Sequence, residues 1–158
     1  MKQFNEMEKM INNFASSGAF LTVKDKNGSV NTMTVAWGFI GYMWNKPHFI
    51  CFVRPQRYTK GLIDNAKDFT ISVPDGNLKE ELKLCGVKSG RDVDKSTIVS
   101  FKPAKATDSP IVADCRHYYE CVIHYHDALR DEFSDEFVKS FYKNDYHELY
   151  MGEIVESY

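Results

Sequence analysis

No apolar run in this sequence approaches the roughly 20 residues that a helix needs to cross a bilayer, so a membrane-spanning helix is not expected. Met1 leads into Lys2, Gln3, Phe4 and Asn5 without an apolar stretch or a small-residue cleavage site, so no export signal is expected either. An excess of one charge is also missing. With 20 basic and 22 acidic residues the formal net charge is −2, which argues against nucleic acid as a partner and makes any anion binding local. The four cysteines, Cys51, Cys85, Cys115 and Cys121, contain no C-x-x-C pair, and a chain of 158 residues needs no disulfides. Reduced thiols and a cytoplasmic location are the expectation. No G-x-G-x-x-G fingerprint announces a Rossmann unit. No repeat, low-complexity tract or linker divides the chain, so residues 1–158 read as one domain.

What is present is a 43% apolar chain with short strand signals. Phe4, Met7, Ile11 and Phe14 predict an opening amphipathic helix, released at Gly18 into a strand over 19–23. Asn27-Gly28 predicts a two-residue type I′ hairpin turn, followed by a strand from about Val30 to Phe39. Gly38, Gly41, Asn45 and Pro47 predict a bend before Phe49-Ile50-Cys51-Phe52-Val53, a run that suits a strand buried on both faces. Further signals predict a helix over 60–69 and a strand over 69–73. Leu78, Leu82 and Cys85 predict a helix that stops at Gly86. Strands are expected near 98–101, 118–125 and 149–155, with a late helix through Phe133, Phe137, Val138 and Phe141. Helices are few and no β-α-β alternation repeats. The fold class is mainly β, a small antiparallel barrel with appended helices.

The densest chemistry lies between Asn31 and Thr59. Arg54-Pro55-Gln56-Arg57-Tyr58-Thr59 closes the buried strand with two guanidinium groups, and Thr59 sits where the N-cap of the next helix belongs. Arginine offers paired, charge-assisted hydrogen bonds to phosphate, and a helix start adds free N–H groups. Upstream, Thr32 and Thr34 share one strand face while Met33, Val35 and Trp37 share the other. A planar ligand with a phosphate tail fits both halves. The plainer reading is a capped surface turn with Trp37 in the core.

N-T-M-T-V-A-W-G, W-N-K-P, R-P-Q-R-Y-T, the C-G-V-K-S-G-R-D-V-D-K loop over 85–95, Glu120-Cys121 and H-E-L-Y-M-G-E-I over 147–154 occur in one order. Together they resemble the flavin reductase-like family of FMN-binding split barrels, flavoredoxins included. The resemblance implies a Greek-key split β-barrel that binds FMN. Asn31, Met33, Thr34, Val35, Ala36 and Trp37 would lie along the flavin. Cys51, Phe52 and Val53 would pass the ring largely through backbone groups. Arg54, Arg57, Tyr58 and Thr59 would hold the phosphate. Lys95 would approach ring or phosphate, and His147, a possible catalytic residue, would sit near the flavin or nicotinamide. The implied activity is an NAD(P)H-dependent oxidoreductase acting as a homodimer. The alternatives are a flavoredoxin-like electron carrier reduced by a redox protein partner, or a non-catalytic flavin-binding module. The sequence closes at Tyr158, soon after its G-E-I-V strand, which under the resemblance implies an open site and exchangeable FMN. His117, Cys121, His124 and His126 lack the spacing of a structural zinc site, so no metal is expected.

Overall fold

The structure is a computed structural model that describes residues 2–158. After a first helix, α1 (Met7–Ser16), the chain forms strands β1 (Ala19–Lys24), β2 (Val30–Val35), β3 (Gly38–Met43) and β4 (Lys46–Val53). Then come α2 (Tyr58–Ile63), β5 (Asp68–Val73), α3 (Lys79–Val87), β6 (Phe101–Lys102), β7 (Ile111–Val112), β8 (His117–Ala128), α4 (Glu136–Lys139) and β9 (Glu148–Ser157). Seven strands make one sheet in the order β2-β1-β5-β8-β9-β4-β3, with every pairing antiparallel. β6 and β7 pair separately.

The sheet wraps around a single core, because β2 at one edge and β4 near the other contribute to the same buried cluster. Met33 and Val35 meet Phe49, Cys51 and Val53 there. Phe49 is its aromatic centre, 6.2 Å from Phe14, 6.4 Å from Phe69 and 5.5 Å from Tyr119, in edge-on or tilted contacts that favour aromatic pairs. Phe14 and the buried Met10 bring α1 against the core. A second cluster lies on the outer face of β1, where Phe20 packs against Leu82 and Cys85 of α3. The two edge strands, β2 and β3, are consecutive in the chain yet do not pair. The barrel is therefore split, and Ala36-Trp37 spans the split.

Several local expectations change. The loop after β1 has three central residues: Gly28 N–H bonds to Asp25 O, Asp25 N–H to Ser29 O, and only Gly28 has positive φ (+87°). The two-residue turn falls instead at Trp44-Asn45, whose φ values of 51° and 59° match the type I′ requirement. Gly38 and Gly41 consequently lie inside β3, and the strand expected to reach Phe39 ends at Val35. In β4, Phe49, Cys51 and Val53 face the core while Ile50 and Phe52 are half-buried on the other side, so the strand is not buried on both faces. α2 stops at Ile63 with Arg57 in the cap position, so Thr59 is inside the helix. Gly86 lies within α3, which ends at Val87 with Lys88 in the cap position. The late helix shrinks to four residues, because Phe133 and Phe137 are 78% and 71% exposed and an apolar stripe without a core to cover has little to hold it.

Two buried carboxylates pin the segment between β6 and β7. Glu120, on β8, accepts from the N–H groups of Lys105, Ala106 and Thr107 and from the Tyr158 hydroxyl. Asp68, on β5, accepts from the N–H groups of Asp108 and Ser109. Such charge-assisted bonds stabilise strongly when complete, and removing the acceptor strands several buried donors. Glu120→Gln is expected to lower unfolding stability by about 2 kcal/mol or more. Urea denaturation checks this, and an unchanged midpoint would refute it.

Candidate functional site

Two cavities adjoin at the split of the barrel. One, of about 270 Å³, takes walls from Ala36, Trp37, Phe52, Arg54 and His147. The second, of about 180 Å³, takes walls from Asn31, Tyr58, Thr59, Arg91 and Lys95. Met33 and Arg57 line both, so the two form one continuous groove.

The second cavity gathers positive charge. Lys95 is 3% exposed, and its Nζ donates to Cys85 O at 3.1 Å. Arg57 Nη1 donates to Gly86 O at 2.9 Å. Among the described residues neither has a carboxylate within ion-pair distance. Burial pushes the Lys95 ammonium below its ordinary range, and the Arg57 cation adds to the fall. Burial also lowers Arg57. Two cations that repel each other in a shared cavity are the receptor an anion stabilises. Asn31 Nδ2 donates to Thr59 Oγ1 at 2.8 Å, which leaves the Thr59 hydroxyl proton free to donate. The Ser89–Arg91 turn closes the cavity. Gly90 is required there: a Cβ would stand 2.3 Å from Tyr58 Cδ1 and 2.4 Å from Asn31 Oδ1. Arg91 lies over the Tyr58 ring, 5.5 Å from its centroid.

The first cavity is mainly aromatic. Trp37 is 44% exposed and packs on His147, with ring centroids 4.7 Å apart, so it is a wall of the site and not part of the core. Phe52 meets His147 edge-on at 6.3 Å. Arg54, expected to hold the phosphate, is paired with Asp145. It also donates to Phe141 O at 3.1 Å and lies 5.0 Å over the Tyr142 ring. The Lys143 N–H and the Arg54 guanidinium hold the Asp145 carboxyl far below the usual range. Tyr142 Oη lies 2.9 Å from His147 Nδ1. Burial, with Arg54 nearby, takes His147 down to about 4, so the ring is neutral at pH 7.

The structure thus brings Asn31, Met33, Thr34, Val35, Ala36, Trp37, Phe52, Arg54, Arg57, Tyr58, Thr59, Lys95 and His147 around one groove. Cys51 and Val53 are fully buried and point into the core, which leaves only backbone for a ligand. Thr34 Oγ1 is engaged, donating to Leu82 O at 2.5 Å. The contributions of Phe141, Tyr142 and Asp145 were not visible as site residues. Their aromatic density was the available signal, but it reads equally well as a helix. The histidines do not converge. His126 meets Glu148 at 2.5 Å, His124 lies 3.6 Å from Glu153, and His117 packs on Tyr119. Asp64, His126 and Glu148 offer atoms within 4.8 Å of one another, but Lys60 ion-pairs with both carboxylates and takes the place of a cation.

In overall structure the chain resembles flavin-binding split barrels. An FMN-binding protein from Thermus thermophilus superposes with a TM-score of 0.71 at 24% identity, over 89% of this chain and 68% of the other. The flavoredoxin of Desulfovibrio vulgaris gives 0.69 at 21%, over 90% and 69%. The 2-nitrobenzoate 2-nitroreductase of Pseudomonas fluorescens gives 0.66 at 20%, over 100% and 74%. The architecture is therefore the FMN-binding split barrel. No curated protein matches significantly in sequence. Residues 11–158 match the flavin reductase like domain, and the chain belongs to that flavin-related oxidoreductase family.

The depressed His147 has a pH signature. A free imidazole titrates near 6.5 and the folded one near 4, so the fold favours the neutral form. The stability this contributes is complete above pH 6.5 and is lost as pH falls from 6.5 towards 4. The denaturation midpoint of the wild type is expected to drop more steeply over that window than that of His147→Gln. Parallel curves would contradict the assignment.

Proposed function

We propose that the protein is an FMN-dependent NAD(P)H oxidoreductase. The observation that carries this reading is the pairing of an aromatic-walled cavity with a cavity holding two uncompensated cations, Arg57 and Lys95. That donor set fits a flat ring with a phosphate tail. Arg57, Lys95 and the Thr59 hydroxyl hold the phosphate, while Asn31 fixes Thr59. Trp37, Phe52 and the neutral His147 form the ring cavity and limit water there. Arg54 positions the 141–145 segment beside the ring cavity through Asp145 and Phe141. The FMN that these residues would hold would supply the hydride and electron-transfer chemistry. The protein's part is to bind, orient and exclude water.

The working unit in this reading is a homodimer. Tyr42, Met43 and Trp44 are exposed on β3 and its turn, along an unpaired sheet edge of the kind that proteins cover. Sedimentation equilibrium is expected to return twice the chain mass, and a monomer would remove this part of the proposal.

The purified protein is expected to carry flavin absorbance that bleaches anaerobically on addition of NADH or NADPH. Bound flavin that neither nucleotide bleaches would point to an electron carrier. Arg57→Ala is expected to weaken FMN at least about tenfold in a fluorescence titration, the loss of one charge-assisted contact of about 1.4 kcal/mol. Arg54→Ala is expected to weaken it less, since Asp145 already engages that side chain.

A further inference from the structure

A third cavity, a groove of about 880 Å³, adjoins the ring cavity and shares Ala36, Trp37 and Phe52 with it. Its far wall is built from Ile11, Phe39, Phe137 and Val138, contributed by α1, β3 and α4. Among the described residues that line it none is charged, and Tyr142 alone carries a hydroxyl. Arg54, which lies against the Tyr142 ring, is already paired with Asp145. A charged occupant would find no counter-ion among the residues that line the groove, and its charge would face apolar walls. A flat apolar ring would gain contact with aromatic walls, and one carbonyl oxygen on it would find the Tyr142 hydroxyl. That hydroxyl is free to donate when His147 bears its proton on Nδ1.

From the absence of charge, the single hydroxyl and the shared Trp37 wall, we infer that this groove is the acceptor chamber of the oxidoreductase. Its substrate class is a neutral, flat, ring-borne carbonyl compound of the quinone type. The inference rests on the oxidoreductase reading. Overall, NAD(P)H, a proton and the quinone give NAD(P)+ and the hydroquinone. Two electrons and one hydrogen come from the nicotinamide and the remaining proton from solvent.

Duroquinone and anthraquinone sulfonate, neutral and charged and neither open to thiol addition at a free ring position, separate the possibilities. In methyl NMR of the protein as purified, duroquinone is expected to shift Ile11, Leu129 and Val138 saturably. Anthraquinone sulfonate is expected to bind at least about tenfold more weakly, as is duroquinone to Val138→Glu. Equal binding of the two quinones to the wild type overturns the inference even if Val138→Glu fails to fold. Absence of saturable shifts overturns it as well, including the case in which a second copy of the chain fills the groove. The two readings fail separately. Duroquinone in the groove with flavin that no nicotinamide bleaches sinks the NAD(P)H reading alone. Flavin that bleaches without duroquinone binding sinks the chamber alone.

Discussion

The failure of β2 and β3 to pair is the constraint on which the rest of the structure depends. A sheet of seven antiparallel strands wrapped around one core would close if its edges met, and a closed barrel would fill its interior with side chains. Here the edges are successive strands joined by only Ala36 and Trp37. The chain crosses the gap as irregular backbone, and its side chains turn towards the cavities at the split. Trp37 stays 44% exposed because the split gives it a ledge instead of a core. The cavities, the aromatic groove and the reach of His147 towards Trp37 all follow from that gap.

Electrostatics then divides the groove. The two arginines that sit three residues apart have different tasks. Arg54 is neutralised by Asp145 and serves to dock the segment carrying Phe141 and Tyr142. Arg57, with Lys95, keeps its charge unmatched and bonds only to backbone carbonyls. Burial makes that arrangement costly unless an anion joins it. The rest of the barrel bears its buried charge differently, with Glu120 and Asp68 saturated by N–H donors from one loop. Saturated carboxylates hold the scaffold and unsatisfied cations mark the site.

Much of this was legible in the chain. Short apolar runs located β1 and β5, which are buried on both faces, and strand signals also fell on β8 and β9. The cluster from Asn31 to Thr59 stood out because its residue types suit a phosphate better than a plain turn. The errors share a cause. Asn27-Gly28 reads as a two-residue turn by composition, yet Asp25 draws in a longer loop, accepting from the N–H groups of Asn27 and Ser29. Trp44-Asn45 carries the tighter turn on residues of weaker propensity, fixed by the register of β3 against β4. The Phe133–Phe141 stripe has helical spacing, but no core lies beneath it.

The sequence alone determined most of the strands but not the edge strand β3, many of the residues that gather at the split and, through six segments in one order, the family. Those are properties of local pattern and order along the chain. Tertiary structure alone decided which arginine is free. Asp145, 91 positions away, pairs with Arg54, while Lys95 joins Arg57 across the α3 carbonyls. It also decided that Trp37 is a shared wall of an aromatic cavity and an uncharged groove. Charge compensation and the shape of a gap arise between distant segments, so neither is written in any one of them.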